Sequence, residues 1–280
     1  MSHQDWDLVI TPESGAVASD VRELWRYRDL LRLFIRRDFV AFYKQTILGP
    51  VWIFIQPLLT SLVYVLVFHR LAGLSTDQLP PIMFYLAGVS CWTFFADCLS
   101  KTSETFIANA LLYEKVYFPR LITPLSVVAS SMIRLLFQLG LFAVLWVWYV
   151  AQGVIVPGWA LLAAPLLVIL LAAMGLGVGL IFASVTNKYR DLRFVLQFGI
   201  PLLMFATPVL YPMSMASEKA RMVLNINPLA PVFEAFRATT LGVGDVSLPG
   251  LAWSIAFAIL MMAIGISVFQ RVERTVIDTV

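Results

Sequence analysis

Long apolar stretches dominate this sequence and restrict what it can fold into. A helix needs about 20 predominantly apolar residues to cross the roughly 30 Å hydrocarbon core of a bilayer. Six stretches meet this requirement, although the second and fifth need flanking residues to reach that length. They run approximately from Leu48 to Phe68, Ile82 to Cys98, Leu121 to Val150, Trp159 to Val185, Phe194 to Leu210 and Leu251 to Val268. The sequence therefore predicts an all-α integral membrane protein with six transmembrane helices.

The composition agrees with a lipid environment. Hydrophobic residues make up 60% of the chain and charged residues 13%, whereas a soluble domain has roughly 45–50% and about 25%. The net charge of +3 does not indicate nucleic-acid binding, because the cations flank the apolar stretches instead of forming one patch. Cys91 and Cys98 are about two helical turns apart in one stretch, too far to bridge each other, and are expected to be buried thiols.

The basic residues predict the orientation, because cytoplasmic loops carry an excess of Lys and Arg. A cytoplasmic N-terminus assigns fifteen of the 20 cations to the cytoplasm. These are seven from Arg22 to Lys44, then Lys101, Lys115, Arg120, Lys188, Arg190, Arg193, Arg271 and Arg274; Arg70, Lys219, Arg221 and Arg237 fall outside, and Arg134 lies within a span. Both termini are therefore predicted to be cytoplasmic, in agreement with an even number of spans.

The chain divides into four predicted parts. Residues 1–20 lack a basic segment followed by an apolar core, so we expect an N-terminal tail and not a cleaved signal peptide. Residues 21–46 alternate apolar and Arg positions near helical period, which predicts an amphipathic helix in the membrane interface. This helix either shapes a lateral or cytoplasmic opening or simply anchors the chain. Residues 47–272 form the six-helix unit and 273–280 a cytoplasmic tail.

Two loops are long enough to fold locally. The cytoplasmic segment from Lys101 to Arg120 has apolar residues at helical spacing, which predicts a short helix. That helix either docks a soluble partner or packs on its own spans. The outer segment from Pro212 to Gly250 is semi-apolar, and we expect short re-entrant helices there before the last span.

Sequence motifs for chemistry are missing from the chain. None of its five lysines follows a glycine, so it has no P-loop for ATP. It also lacks His-Glu-x-x-His and Cys-x-x-Cys, and its two histidines are His3 and His69. We therefore expect no catalysis, no metal and no cofactor in this chain.

Two groups inside the spans suggest specific contacts. Asp97 and Arg134 are ionisable residues in the second and third spans, where a charge needs a partner or water, so they are predicted to pair or to line a polar path. Gly175, Gly177 and Gly179 include a Gly-x-x-x-Gly pair in the fourth span, which predicts close helix packing.

Aromatic residues are frequent in the first and fifth spans. They normally face lipid or the interface, but an aromatic ring also packs against the apolar face of a sugar. The eight candidates for a substrate channel are Trp52, Phe54, Tyr64, Phe68, Phe194, Phe198, Phe205 and Tyr211.

Several local strings, in this order, carry a family resemblance. They are Leu24–Leu30, Arg36–Asp38, Tyr43–Gly49, Gln56–Leu58, Lys115–Arg120, Tyr189–Leu192, Pro208–Pro212 and Asn227–Arg237. Together they cover nearly the whole chain after residue 20 and resemble the membrane subunit of ABC polysaccharide exporters. That family exports lipid-linked O-antigen, teichoic acid or capsule chains.

The resemblance implies a transport subunit that works with a separate ATPase. It implies a homodimer in the bacterial inner membrane, bound to two ATPase copies that hold ATP and Mg²⁺. Its substrate would be a polysaccharide linked to undecaprenyl diphosphate, and its first and fifth spans would line the channel. The implied coupling residues are Leu111, Leu112, Glu114, Lys115, Tyr117, Phe118 and Arg120.

Three other functions remain as alternatives. An ABC permease for a drug or small lipid shares the six-span plan. An ion- or proton-coupled transporter would need buried carboxylates and two symmetric halves, which the sequence does not display. A membrane enzyme would need a carboxylate or histidine cluster in a large loop, whereas the longest loop has Glu218, Glu234 and Asp245 scattered among apolar residues.

Overall fold

A computed structural model describes residues 24–44, 48–116, 118–156, 158–186, 188–189 and 191–277. Across these ranges the regular secondary structure is helical, with no β-strand. The predicted N-terminal tail at residues 1–20 lies outside them, as do residues 21–23, 45 and 46 of the predicted interface helix and residues 278–280 of the predicted C-terminal tail.

The amphipathic helix α1 (Arg28–Tyr43) lies against the third long helix. Its Phe34 is buried in edge-to-face contact with Phe118, whereas Arg32 and Arg36 are exposed. The helix thus has one apolar face turned to the protein and one basic face turned away. This is the amphipathic pattern that its sequence predicts.

Five helical segments are long and apolar enough to cross a membrane. The first combines a short 3-10 turn, α2 (Trp52–Tyr64) and a π-helical continuation to Leu71; the others are α3 (Pro81–Ser103), α6 (Ile122–Ala151), α7 (Ala164–Thr186, after a 3-10 turn from Trp159) and α11 (Leu248–Ile277). Two single-turn helices, α4 (Thr105–Ala108) and α5 (Ala110–Tyr113), connect α3 to α6. The last helix continues beyond the predicted boundary at residue 272.

The predicted fifth span is shorter than expected. Its helix, α8 (Leu192–Phe205), has 14 residues, or about 21 Å at 1.5 Å per residue, which is less than the hydrocarbon thickness. The apolar stretch continues to Leu210, but Pro208 disfavours helical backbone at Thr207 and cannot donate an amide hydrogen bond. The chain therefore leaves the helix in a series of turns.

Two short helices fill the segment before α11. The first, α9 (Glu218–Ile226), is capped by Ser217, whose hydroxyl accepts a hydrogen bond from the amide of Ala220 at 3.4 Å. The second, α10 (Ala230–Leu241), is buried along most of its length. Short helices are the structure expected for this segment.

The centre of the fold is a close packing of α3, α7 and α11. A methyl group added at Gly175 would lie 2.8 Å from Cβ of Cys98 on α3. On the next face of α7, a methyl group added at Gly177 would lie 2.7 Å from the backbone nitrogen of Met262 on α11. These contacts confirm that the glycines of α7 allow close helix packing.

Hydrogen bonds between side chains and the backbone identify one end of the bundle, which we call the basic end. The hydroxyl of Thr186, the last residue of α7, donates to the carbonyl of Ser103 at the end of α3 (3.0 Å). Near the end of α11, a carboxylate oxygen of Glu273 accepts from the amide of Arg120, just before α6 (3.1 Å). Thus α3, α7 and α11 finish at the basic end, and α6 and α8 begin there.

The opposite end, which we call the α10 end, collects the other helix termini. Late in α6, the indole of Trp146 donates to the carbonyl of Thr240 on α10 (2.6 Å). The side-chain amide of Asn227, between α9 and α10, donates to the carbonyl of Ala206 just after α8 (2.8 Å). Early in α11, the Trp253 indole donates to the carbonyl of Ile226 (3.1 Å).

Candidate functional site

Asp97 forms the centre of a charged cluster between α3 and α6. Its Oδ2 lies 2.8 Å from Arg134 on α6 and 2.7 Å from Nζ of Lys101, one turn further along α3. Arg134 also donates to the hydroxyl of Ser131 at 2.8 Å. The two ionisable groups singled out in the sequence are thus in direct contact. Lys101, although it stands four residues from Asp97, was not recognised as a third member.

The charged cluster lines a cavity of about 230 Å³ between α2, α3 and α6. Its wall includes the neutral polar side chains of Gln56, Thr93, Ser131 and Gln138, together with apolar groups such as Ile53. With Asp97, Lys101 and Arg134 all ionised, the lining carries one net positive charge. The cavity therefore combines charge with hydrogen-bonding groups inside an apolar helix bundle.

A second ion pair lies buried near the α10 end. Arg237 and Glu234, both on α10, are 2.5 Å apart with side chains only 3% and 4% exposed. The Glu234 carboxylate also accepts from the backbone amides of Met213 (3.0 Å) and Asp245 (3.4 Å). The Arg237 guanidinium lies 4.5 Å from the ring centroid of Phe84 on α3. This pair ties α10 to the turns on both sides of it and to α3.

Burial and charge act in opposite directions on Arg237. Desolvation lowers the pKa of its guanidinium, while the nearby Glu234 carboxylate and its hydrogen bond raise it. Sequence reasoning treated Glu234 as one of several scattered carboxylates. The Glu-x-x-Arg spacing on one helix face was the available signal, because residues three apart are neighbours on a helix.

The predicted coupling residues divide into an exposed and a buried group. Leu111 is 73% exposed, and Glu114, Lys115 and Val116 are exposed beside it. Together with Ile107 on α4, which is 40% exposed, they form what we call the coupling surface. Leu112 is half-buried, and Tyr117 lies outside the described residues.

Phe118 and Arg120 point into the protein. Phe118 is buried between Phe34 of α1 and Tyr113 of α5, with ring centroids 5.7 and 5.6 Å apart. The Arg120 guanidinium lies 5.1 Å from the centroid of Tyr113. Burial also raises the pKa of Tyr113, whose hydroxyl pairs with that of Thr123. These residues connect the coupling surface to α1 and, through the Arg120 amide, to Glu273 of α11.

The candidate channel aromatics on α2 and its continuation differ in surroundings. Trp52 is 41% exposed, whereas Phe54 packs edge-to-face on Phe137 of α6 at 5.9 Å. Tyr64 and Phe68 are half-buried and contact each other, 5.5 Å apart. Both also pack against the buried ring of Tyr85 on α3, at 6.1 and 6.5 Å, respectively. Sequence reasoning did not include Tyr85 in this group.

The aromatics on α8 form a more open surface. Phe194, Phe198 and Phe205 are 53%, 73% and 58% exposed. Tyr211 is half-buried, and its hydroxyl donates to the carbonyl of Phe205 at 2.8 Å. Phe205 and Tyr211 also line a mainly apolar cavity of about 860 Å³ between the end of α8 and α9. A contact between the Tyr64 hydroxyl and the Met204 sulfur, at 4.0 Å, places the ends of the first and fifth predicted spans together.

No metal centre is found among the residues that the structure describes. Within them, no three His, Cys, Asp or Glu side chains are grouped so that they could hold an ion. Cys91 and Cys98 are both buried as free thiols.

The helical membrane architecture and the chain's sequence define its class. Residues 29–241 match the ABC-2 type transporter family, and the chain belongs to this family. Because the match covers most of the chain, from α1 to α10, the charged cluster and the coupling surface both lie inside the family domain.

Three relatives narrow the comparison further. An O-antigen export system permease protein RfbA from Myxococcus xanthus is 32% identical over 220 residues, which is 78% of this chain and 82% of the relative. Two proteins of the same description from Klebsiella pneumoniae are 28% and 27% identical, each over 88% of this chain and 92% of their own length.

Proposed function

We propose that this chain is the permease subunit of an ABC exporter that moves lipid-linked polysaccharide of the O-antigen class across the bacterial inner membrane. The observation that carries the proposal is its similarity, over most of both chains, to proteins described as O-antigen export system permeases. ATP and Mg²⁺ bind to a separate ATPase, and this chain supplies the route through the bilayer.

The proposed topology has six crossings with both termini in the cytoplasm. Support comes from the two bundle ends, because α7 finishes at the basic end while α11 starts at the α10 end. The chain between them must change ends, and α8 with the turns after it makes that passage. Cations concentrate at the basic end, which is therefore the cytoplasmic side.

The coupling surface is the proposed docking site for the ATPase. It lies at the basic end, where a soluble cytoplasmic partner has access, and it presents apolar side chains between exposed charges. Behind it, Phe118 and Arg120 contact α1 and α11. Movement of the ATPase would thus be transmitted to both the interface helix and the last helix.

Two copies of the chain form the proposed channel, and each copy binds one ATPase. Of the candidate transmembrane segments, those containing α2 and α11 are the least buried, and α3 is the most buried. The exposed aromatics of α8 lie on a similarly open surface. A second copy facing α2 and α8 would enclose a path lined by rings that pack on sugars without fixing one position.

Reconstitution of the chain with its ATPase tests the proposal. In proteoliposomes, ATP should drive lipid-linked O-antigen to the opposite leaflet, and the glycolipid should stimulate ATP hydrolysis. Replacement of the P-loop lysine of the ATPase should abolish both effects. Transport of a hydrophobic dye without any glycolipid movement would instead identify a drug or small-lipid permease.

A pair of variants tests the channel surface. Phe198→Ala should lower glycolipid movement several-fold, because it removes a 73% exposed ring from α8. Leu136→Ala on α6, which is 59% exposed, provides the control and should leave transport unchanged. Equal effects of the two substitutions would contradict a channel along α8.

A further inference from the structure

The charged cluster around Asp97 has more positive than negative groups. One carboxylate oxygen contacts both Lys101 and Arg134, at 2.7 and 2.8 Å. A membrane helix that required only neutralisation of Asp97 would need a single cation. The second cation leaves the cavity with a net charge of +1, which favours an anionic ligand.

The cavity also has the donors that an anion requires. Lys101 is 44% exposed, so its ammonium group is accessible from the surroundings of the cluster. Gln56 of α2 and Gln138 of α6 add side-chain amides from two further helices. Ammonium, guanidinium and amide groups are all hydrogen-bond donors to phosphate oxygens. A volume of about 230 Å³ admits a phosphate or diphosphate group but no large ligand.

The cluster lies near the basic end of the bundle, which the proposed topology places at the cytoplasmic leaflet, where lipid phosphates are found. Asp97 is about 9 Å along α3 from the final residue, Ser103, and Lys101 is closer still to that end. The end of α3 is the basic end, where the interface helix α1 also lies. Phe39 of α1 and Phe54 of α2 both pack on Phe137 of α6, at 6.0 and 5.9 Å. Phe137, which precedes the cavity residue Gln138, thus connects the cavity region to the interface helix near the basic end.

We infer that the cavity formed by Asp97, Lys101 and Arg134 binds the phosphate groups of a membrane lipid that enters laterally beside α1. Given the proposed function, on which this inference rests, the ligand is the diphosphate that joins the polysaccharide to its polyprenyl carrier. Lys101 and Arg134 bind the phosphate oxygens, and the negative charge of Asp97 limits the affinity so that the ligand can leave.

Binding of undecaprenyl diphosphate to the purified complex tests this inference. The complex of chain and ATPase is placed in nanodiscs of phosphatidylcholine, and bound lipid is measured by native mass spectrometry. Lys101→Gln and Arg134→Gln should each raise the Kd about tenfold, through loss of a charge-assisted hydrogen bond. Lys101→Arg and Arg134→Lys should retain most of the binding. Undecaprenol, which lacks phosphate, should bind weakly and with no dependence on these residues.

The Asp97→Asn variant separates ligand binding from a structural role. Removing the carboxylate raises the net charge of the cavity, so an anion site should bind undecaprenyl diphosphate more tightly. A purely structural ion pair predicts the opposite, because Asp97→Asn and Arg134→Gln would then weaken binding together. The latter result would overturn the inference, as would a Kd that is unchanged in both Lys101→Gln and Arg134→Gln.

Two further measurements identify the source of the phosphate and distinguish a failure of this inference from a failure of the proposed function. Nanodiscs that contain phosphatidylglycerol show whether a bulk anionic lipid competes with undecaprenyl diphosphate for the site. Loss of bound undecaprenyl diphosphate in these nanodiscs would assign the phosphate site to bulk anionic lipid, whereas unchanged binding would assign it to the carrier. Glycolipid movement by the unaltered complex is measured in parallel. If that complex transports the glycolipid while the Kd for undecaprenyl diphosphate is unchanged in Lys101→Gln and Arg134→Gln, the inference fails and the proposed function stands.

Discussion

At the scale of single residues, burial determines which charges matter for stability. Arg237 and Glu234 are almost completely removed from solvent, and their charged groups form an ion pair with each other. Removing one partner of such a pair leaves an uncompensated buried charge, which costs far more than the pair contributes. By contrast, Arg32 and Asp29 on α1 form a pair with side chains 73% and 74% exposed. Exposed pairs of this kind contribute little to stability.

Arg237→Met should destabilise the protein by about 3–5 kcal/mol, because Glu234 then remains buried without a counter-charge. The measurement is thermal unfolding of the detergent-solubilised protein. A double variant, Glu234→Gln with Arg237→Met, should recover part of the loss, because it removes both charges and retains an acceptor for the Met213 amide. Arg32→Met is the control and should leave the transition unchanged. If the double variant is less stable than Arg237→Met, the buried-charge explanation is wrong.

The sequence identified individual charged residues inside the spans better than it identified which charged residues are buried and what they contact. Asp97 and Arg134 were recognised because an ionisable residue is rare in an apolar span. The Glu234–Arg237 pair was missed because its segment reads as a semi-apolar outer loop, in which charges are normally solvated. Its burial depends on α10 packing against α3, and no local pattern carries that information. Phe118 and Arg120, which the family resemblance implies for coupling, have buried contacts that the sequence did not specify: Phe118 packs between α1 and α5, and Arg120 packs on Tyr113.

At the scale of helices, the packing of α7 can be tested with one chemical change at two positions. Gly177→Ala should destabilise the protein by about 1–3 kcal/mol, because the new methyl group would meet backbone atoms of α11 at 2.7–2.8 Å. Gly140→Ala on α6 has no other atom within 4 Å of its new methyl group and should be neutral or stabilising. Thermal unfolding and the yield of monodisperse protein measure both. Equal tolerance of the two variants would show that α7 and α11 are not closely packed.

The coupling surface on α4 and α5 can be tested with two leucines of similar exposure. Leu111, which is 73% exposed, lies on this surface, and Leu248, 75% exposed, lies at the start of α11 at the opposite end of the bundle. Leu111→Ala should weaken binding of the ATPase about tenfold, or about 1.4 kcal/mol, as expected for an anchor at an interface. Leu248→Ala should bind it normally. Both variants should unfold at the same temperature as the unaltered protein. If Leu111→Ala and Leu248→Ala weaken ATPase binding equally, the coupling surface is not the docking site.

Helix prediction succeeded where an apolar stretch coincides with one uninterrupted helix. The runs beginning near Leu48, Ile82, Leu121, Trp159 and Leu251 all correspond to helical segments long enough to span. It was less accurate for α8, because hydropathy measures the tendency to leave water and does not detect where the backbone stops being helical. Pro208 ends the helical path while the apolar side chains continue. Proline position alone would not have located that boundary either, because Pro201 lies inside α8.

At the scale of the whole molecule, the short helix α8 determines whether the number of membrane crossings is odd or even. With α8 as a crossing, the number of spans is even and both termini lie on one side. Without it, α11 would have to start at the end where α7 finishes. Contacts from Thr186 to Ser103 and from Trp253 to Ile226 place those two points at opposite ends of the bundle. The direction of the complete chain therefore depends on a helix too short to be identified as a span by length alone.

Labelling of single introduced cysteines in intact cells tests this topology. Ser217→Cys, at the exposed cap of α9, should react with a membrane-impermeant maleimide in cells whose inner membrane is sealed. Lys115→Cys, on the coupling surface, and Lys188→Cys, between α7 and α8, should react only after that membrane is permeabilised. The unaltered protein is the control, because Cys91 and Cys98 are buried and should stay unlabelled. Reaction of Ser217→Cys and Lys188→Cys from the same side would mean that α8 does not cross, and the six-crossing topology would be wrong.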